Sequence, residues 1–426
     1  MTKPAATFVA TLATCVVLSA SAALQERTQP TLADFSRRAS RSVSATSRVP
    51  LPVLAADQLR DLASLEVSGS GLVPNYLKAL TLIPSSVRPY ANSFKTFLYG
   101  GTIEPETKVA MALQIGRELG SPYAVAHMVR ILNASESGKA LLRHFEANAA
   151  VRPEQDVAIR YAQSLTRDVH GIDDGRFREM RQYYNDAQIV ELTFTVSFFN
   201  YFTRLSQAVN LPVEEWALNT IPKPPSVARD RSPARVHLIS NAEMEWAAAT
   251  LARRPAASQG TLGIDLVNSQ RAMNLVPDIA SAWRAFTSTL GTDAVVSREI
   301  LLQVSFAVSS ANGCRYCTLH QVLGLRRLGV SIDKLLQMQK DDSALTPREL
   351  TAVAFARKLT TAPASVSDED YRKLRSEFGE KGALEVVLQT CNFAFMNRFT
   401  DNLGLPSEDE AVKVYREVYG SDWKKK

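Results

Sequence analysis

Apolar residues recur mainly at spacings of three and four positions from Ala56 onward, and few segments alternate between apolar and polar residues. This is the period of helices that bury one face, so the pattern predicts an all-α protein. The run from residue 299 to 309 contains neither Gly nor Pro, and Ser297 before it can cap a helix start. The pattern therefore predicts a buried helix there, followed by a break at Asn312 and Gly313.

The pattern also repeats at a distance of 193 residues. Residues 78–84 (KALTLIP) align without a gap on residues 271–277 (RAMNLVP). The same shift pairs residues of identical type: Glu106 with Glu299, Gly120 with Gly313, Tyr123 with Tyr316 and His127 with His320. Near the end of each copy the shift becomes 194, where residues 211–212 align on residues 405–406. A match over about 135 residues predicts two copies of one helical domain in tandem, at residues 70–215 and 262–415.

The two copies differ at one functionally important place. Ser121 and Ala124 of the first copy stand where the second has Cys314 and Cys317. The first copy therefore cannot form a disulfide there, and we expect its role to be structural. It would pack against the second copy as one subunit of an isologous dimer packs on the other, giving a pseudo-dimer.

Four segments flank or join the copies. Residues 1–24 carry Lys3, an apolar run and the small-residue pattern Ala-Ser-Ala, which is typical of a signal peptide cleaved near Ala22. Residues 25–69 include a stretch rich in Ser and Arg, which predicts a disordered or transit-like segment and a lead-in to the first domain. Residues 216–261 form a Pro-rich linker with a short helix, and residues 416–426 a basic C-terminal tail.

The N-terminal pattern predicts a destination in the secretory pathway or outside the cell. Alternatively, a signal followed by a transit-like stretch resembles the two-part presequences of plastids acquired by secondary endosymbiosis. The apolar run is too short for a confident membrane anchor, so we expect no stable membrane span after the signal is removed.

Charge argues against nucleic acid as a partner. The chain has a formal net charge of +6, but residues 1–50 hold six Lys and Arg against two Asp and Glu, which leaves 43 against 41 for the remainder. Because the folded part is close to neutral, it offers no basic face for phosphates.

The side chains best suited to catalysis lie close together between residues 312 and 320. The break at Gly313 places Cys314 and Cys317 one turn apart at the start of the next helix, where unpaired N–H groups stabilise a thiolate. His320 follows on the same face, within reach of Cys317 for proton transfer. This arrangement favours a redox-active dithiol.

Two other uses of the cysteines remain open. A structural disulfide is compatible with an oxidising compartment, although a bridge over so short a loop removes little entropy from the unfolded chain. Zinc needs about four ligands, and Cys391 is the one further thiol after signal cleavage. Covalent haem attachment needs His directly after the second Cys, where this chain has Thr318.

The segment from Asn312 to Cys317 resembles the AhpD-like superfamily, which comprises alkylhydroperoxidase D and carboxymuconolactone decarboxylase. Its redox members carry Cys-x-x-Cys followed by His at the head of a helix, and the resemblance extends over both copies. The chain departs from this pattern at two relay positions. Where the family has His four residues after the second Cys, this chain has Gln321, and where it has Glu twelve residues before the first, this chain has Leu302.

His320 and Glu299 are the nearest substitutes for the two relay residues. Glu299 is also well placed to offset the dipole at a helix N-terminus, and we expect this second role to be its main one.

The resemblance implies a thiol-dependent enzyme that reduces hydroperoxides without haem, flavin, metal or other cofactor. Cys317 would attack, and Cys314, the more exposed thiol, would resolve the product to a disulfide. The predicted catalytic set is Cys314, Cys317, His320 and Glu299. An external thiol reductant would restore the dithiol, and association into a homo-oligomer is compatible with the family.

Two alternatives remain. One is an acid–base enzyme of the carboxymuconolactone decarboxylase type, which would use His320 and Glu299. The other is a non-catalytic helical scaffold.

Overall fold

The computed structural model describes residues 29–53, 72–218 and 267–420, together with Ala55, Gln58, Leu62, Ala63 and Leu65. These residues form α-helices, two short 3-10 segments and no β-strand. The prediction of an all-α fold is therefore confirmed. The predicted signal peptide and most of the predicted linker lie outside the described residues.

Nine helices precede residue 218. They are α1 (Leu32–Ser42), α2 (Asn75–Leu80), α3 (Pro84–Tyr99), α4 (Pro105–Glu118), α5 (Pro122–Leu132), α6 (Glu136–Ala147), α7 (Pro153–Arg167), α8 (Asp174–Tyr183) and α9 (Asp186–Ala208), among the residues described.

Eight helices follow residue 267 in the described part of the chain. They are α10 (Asn268–Met273), α11 (Pro277–Thr287), α12 (Arg298–Ala311), α13 (Arg315–Arg327), α14 (Ile332–Lys340), α15 (Pro347–Thr361), α16 (Asp368–Asn402) and α17 (Asp409–Tyr419). The long run of α16 is interrupted at Gly379, where φ is +69°.

Short polar side chains and prolines define where many of these helices begin. Ser297 accepts a hydrogen bond from the Ile300 N–H at the start of α12, as the sequence predicts. The side chains of Thr346 and Glu349 form a reciprocal capping box at the start of α15. Proline is favoured at the first position because its missing N–H would be unpaired there anyway, and several helices use it.

The Ser- and Arg-rich stretch after the predicted signal is partly helical, so the prediction of a disordered segment is wrong there. Thr31 and Asp34 form a capping box at the start of α1, and Phe35 is fully buried. The Arg48 side chain then donates to the carbonyl oxygens of Gln207 and Ala208, both at 3.0 Å. Burial of Phe35 and hydrogen bonds from Arg48 to backbone carbonyl groups stabilise an ordered conformation despite the polar composition of this stretch.

Helices at equivalent positions of the two predicted copies pack against each other. Helix α3 packs on α11, and α9 packs on α16. Aromatic rings interlock between these pairs, with Tyr90 5.0 Å from Phe286 and Phe194 4.7 Å from Phe399 between ring centroids. One continuous apolar core therefore extends through both halves.

A buried arginine also joins the halves. Arg398 of α16 donates from Nη2 to the Thr166 carbonyl oxygen, 3.1 Å away, in the last turn of α7. Burial lowers the pKa of Arg398, and the neighbouring Arg204 lowers it further. The carbonyl groups at a helix C-terminus carry partial negative charge, so they offset part of the cost of burying this cation.

A smaller apolar cluster packs against α13 beyond its first turn. It joins α12, α13, α14 and α17, with Phe306, Leu323 and Tyr415 among its buried members. Helix α17 ends at Tyr419, so the described part of the predicted C-terminal tail is helical up to that residue. Within the described ranges, no helix is both long and apolar enough to cross a membrane.

Candidate functional site

The two cysteines lie at the break between helices α12 and α13. Helix α12 ends at Ala311 with Asn312 as its C-cap, Gly313 adopts φ of +68°, and Cys314 is the N-cap of α13. The Cys314 N–H donates to the Ser309 carbonyl oxygen at 3.0 Å, and Cys317 lies in the first turn of α13. The predicted position of the dithiol at a helix N-terminus is therefore confirmed.

Both sulfurs share one hydroxyl group. Thr400 Oγ1 lies 3.4 Å from Cys314 Sγ and 3.3 Å from Cys317 Sγ. The side chains of Phe393 and Met396 pack beside them, so the sulfurs face the last turns of α16. The two cysteines are free thiols in this structure.

The expectation that Cys314 is the more exposed thiol is wrong. Cys314 is 0 % exposed and Cys317 is 3 % exposed. As the N-cap, Cys314 sits beneath the end of α16, whereas Cys317 lies one turn further along α13.

The surroundings of the two thiols shift their pKa values in opposite directions. Burial raises the pKa of Cys314 well above its usual range, and the neighbouring Cys317 and Asp401 raise it further. Burial also acts to raise the pKa of Cys317, but hydrogen bonds from Cys314, Thr400 and Asn397 and the charge of His320 outweigh it, so this pKa is lowered. The surroundings therefore favour a thiolate on Cys317 over one on Cys314.

His320 is held from both sides of its ring. Its Nδ1 donates to the Tyr316 carbonyl oxygen at 2.7 Å, and its Nε2 contacts Glu408 Oε2 at 2.5 Å. The Tyr316 ring stacks on the imidazole with centroids 4.3 Å apart. Acceptor oxygens therefore face both ring nitrogens of His320. Among its effects on the site, the charge of His320 lowers the pKa of Cys317.

Glu408 is fixed by more than the histidine. The Tyr316 hydroxyl donates to Glu408 Oε1 at 3.1 Å, and the Asn268 N–H donates to the same oxygen at 2.6 Å. Burial acts to raise the pKa of Glu408, but its hydrogen bonds and the charge of His320 lower it below the usual range. Glu408 is therefore an ionised carboxylate at the start of α17, directly beside His320.

Glu299 does not belong to this site, and the catalytic role assigned to it is wrong. Its carboxylate pairs with Lys334 at 2.9 Å and accepts from Gln303 at 3.1 Å. Helix α12 is unbroken, so Glu299 lies about 18 Å along the axis from Ala311, at the end away from the cysteines. Its position in the first turn of α12 agrees with the dipole role expected from the sequence.

Sequence reasoning missed three members of the site: Asn397, Thr400 and Glu408. A signal for Glu408 was nonetheless present. The shift of 194 that aligns residues 211–212 on 405–406 also aligns Glu214 on Glu408 two positions later. Because both copies have a glutamate at this position and a histidine at the position of His320, Glu408 was a candidate partner for His320.

The first half contains the same polar framework without sulfur. Tyr123 Oη donates to Glu214 Oε1 at 2.9 Å, and His127 Nε2 contacts Glu214 Oε2 at 2.9 Å. Ser121 and Ser206 hydroxyls lie 3.2 Å apart, at the positions equivalent to Cys314 and Thr400. The Tyr–His–Glu framework is therefore also present in the half that lacks the two cysteines.

Cys391 lies in different surroundings. It is fully buried in the large apolar core and interacts electrostatically with Arg204, Tyr90 and Tyr201. Burial raises its pKa, so this thiol is unreactive. In the described ranges, no group of three or more His, Cys, Asp or Glu side chains has the arrangement of a metal site.

No protein-family profile matches the chain, and no curated protein matches it. Among solved structures, the apo debrominase Bmp8 is similar at 23% identity and a TM-score of 0.37, over 41% of this chain and 94% of that one. A cysteine-to-alanine variant of that debrominase in complex with 2,3,4-tribromopyrrole matches at 21% identity and a TM-score of 0.38, over 44% of this chain and 100% of that one. Each comparison covers less than half of this chain.

Proposed function

We propose that this protein is a dithiol enzyme that reduces organic hydroperoxides. The observation that carries the proposal is the placement of two free cysteines at a helix N-terminus, where both contact the Thr400 hydroxyl beside the His320–Glu408 pair. These surroundings lower the pKa of Cys317 and raise that of Cys314. A nucleophile, a resolving thiol and a proton source are the three parts that peroxide reduction by thiols requires.

The reaction balances with these groups. The Cys317 thiolate attacks the terminal peroxide oxygen, the O–O bond breaks, and the products are a Cys317 sulfenic acid and an alkoxide. The proton held by His320 and Glu408 converts the alkoxide to an alcohol. Cys314 then attacks the sulfenic sulfur, the Cys314–Cys317 disulfide forms, and hydroxide leaves and takes up the Cys314 proton to give water.

An external dithiol completes the cycle. Thiol–disulfide exchange through a mixed disulfide returns two electrons and two protons to Cys314 and Cys317. The separation of Glu299 from His320 removes the residue pair on which the decarboxylase alternative depended.

We also propose that the chain is a fused pseudo-dimer of two related helical domains. Contacts between equivalent helices and the repeated Tyr–His–Glu framework support this arrangement. Entry into the secretory pathway, or into a plastid through a two-part presequence, is proposed on the N-terminal sequence alone.

The proposed function is tested by counting free thiols before and after reaction with a hydroperoxide. Fully reduced protein is treated with a slight excess of an organic hydroperoxide, and free thiols are measured before and after. We expect the loss of two thiols per chain and a Cys314–Cys317 disulfide in tryptic peptides.

Two variants assign the roles of the sulfurs. Cys317→Ser should lose no thiol, whereas Cys314→Ser should lose one and yield a sulfenic acid that dimedone traps. Folded, reduced parent protein that keeps all its thiols would leave the scaffold alternative standing.

A further inference from the structure

A histidine of the thiol-less half lies against the redox turn of the other half. A Cβ placed on Gly313 would lie 3.1 Å from His170 Nε2, so the imidazole fills the space that any larger residue would need. His170 Nδ1 also forms an ion-pair contact with Asp401 Oδ2. Asp401 directly follows Thr400, whose hydroxyl contacts both sulfurs.

The loop that carries His170 is itself well ordered by hydrogen bonds. The His170 N–H donates to Asp168 Oδ1 at 2.9 Å, and the Gly171 N–H donates to the Asp168 carbonyl oxygen at 2.9 Å. Arg176 Nη1 donates to the Gly171 carbonyl oxygen at 3.2 Å. The His170 imidazole therefore lies on a short turn between α7 and α8 that several hydrogen bonds hold in place.

The neighbouring residue of α16 is tied to the first half as well. Asn402 Nδ2 donates to Tyr161 Oη at 2.6 Å, and that hydroxyl lies 2.6 Å from Thr193 Oγ1. Three consecutive residues thus have three partners: Thr400 contacts the sulfurs, while Asp401 and Asn402 contact the first half. The end of α16 links one half to the dithiol of the other.

The two equivalent turns differ in the side chains that lie beside them. In the first half, Gly120 is equivalent to Gly313 and also has positive φ, but no atom of the described residues lies within 4 Å of a Cβ placed there. Gln207 is equivalent to Asp401, and it donates from Nε2 to the Leu119 carbonyl oxygen at 2.7 Å. A covering histidine and a carboxylate therefore occur at the turn that has thiols and are absent at the equivalent turn that lacks them.

We propose that His170 is a positioning residue for the dithiol: by holding Asp401 beside Cys314, it keeps Cys314 as the thiol and leaves Cys317 as the thiolate. This deepens the proposed function, on which it rests only in naming Cys317 as the attacking sulfur. The physical cause is the negative charge of Asp401, which disfavours a second negative charge on Cys314. The thiol-less half thus contributes to the chemistry of the other.

The test measures which sulfur reacts, without any hydroperoxide. Reduced full-length protein is given limiting iodoacetamide near neutral pH, and the label on each cysteine is measured by mass spectrometry. Arg315 lies between Cys314 and Cys317, so trypsin places the two sulfurs in separate peptides. Cys391 lies in the large apolar core, where burial raises its pKa, so its label serves as the internal reference for global unfolding.

We expect most of the label on Cys317 in the parent. Asp401→Asn should increase the share on Cys314, by about tenfold for each unit by which its pKa falls. His170→Ala should change the share in the same direction. His170→Asn, whose amide can still donate to Asp401, should restore the parental share, and His144→Ala in the same half is the control that changes nothing.

Parental labelling ratios in both Asp401→Asn and His170→Ala, with Cys391 unlabelled, would overturn the proposal. If His170→Ala exposes Cys391 by unfolding, Asp401→Asn decides alone. A shifted ratio in protein whose thiols ignore hydroperoxides would support this role of His170 and refute the proposed peroxidase activity, so the two failures are distinguishable.

Discussion

At the scale of single residues, the site depends on a difference between two neighbouring sulfurs. Cys314 and Cys317 share a hydroxyl group and a helix end, yet the pKa of one is raised and that of the other lowered. Burial disfavours both thiolates, so the difference comes from the charges and donors that face each sulfur.

Cys314→Ala tests this coupling. The Cys314 thiol is the first of the donors that lower the pKa of Cys317, so its removal leaves burial less opposed and should raise that pKa. Because the group ionises as pH rises, the onset of Cys317 thiolate absorbance should move to higher pH than in the parent. An unchanged titration curve would show that Thr400, Asn397 and His320 alone set the acidity.

Glu408→Gln tests the carboxylate that sequence reasoning missed. Its loss removes the ionised partner of His320, so hydroperoxide-driven thiol oxidation should slow by about tenfold, the equivalent of roughly 1.4 kcal/mol of charge-assisted hydrogen bonding. Stopped-flow thiol consumption measures the rate.

The chain offers a matched control for this variant. Glu214→Gln breaks the same Tyr–His–Glu framework in the half without thiols, so it should cost similar stability and leave the oxidation rate unchanged. Equal slowing in both variants would mean that Glu408 acts on stability alone.

At the scale of elements, the turn between α12 and α13 determines where the sulfurs lie. Gly313 has positive φ, which lets the chain reverse within two residues and start α13 at Cys314. The equivalent Gly120 has the same conformation before α5. The two turns differ in their surroundings, because His170 covers only Gly313.

Comparing Gly313→Ala with Gly120→Ala distinguishes the cost of backbone strain from the cost of disturbing the His170 contact. Both substitutions force a side chain into the left-handed region, at a cost of about 1–2 kcal/mol. Gly313→Ala must also displace His170, so its loss of unfolding free energy in urea should be the larger. Equal losses would show that the His170 contact contributes nothing to stability.

At the scale of the whole molecule, the two halves are not independent. Their equivalent helices pack on each other, and aromatic rings of both fill one core. Arg398 crosses from one half to the helix C-terminus of the other. Separating the halves would expose this apolar surface and a buried cation together.

We therefore expect a single cooperative unfolding transition. Circular dichroism and the fluorescence of Trp283, which lies at the contact between the halves, should change at the same urea concentration. Two separated transitions would show that each half is stable without the other.

The local features of this protein could be predicted from its sequence. Three- and four-residue spacing determined the all-α class, Ser297 and Gly313 determined the ends of helices, and the positions of Cys314, Cys317 and His320 followed from helical geometry. These features depend on residues a few positions apart, whose relative placement the backbone fixes.

Packing of distant segments brings the other members of the site to the sulfurs. Glu408, Thr400 and His170 are each separated from the cysteines by more than eighty residues of chain, and Glu299, much nearer in sequence, is carried away by an unbroken helix. The acidity of a buried thiol depends on the charges and donors within a few ångströms, and packing selects those from the whole chain. Helical period therefore predicts where a dithiol can form, whereas the groups that packing brings beside each sulfur shift their pKa values in opposite directions.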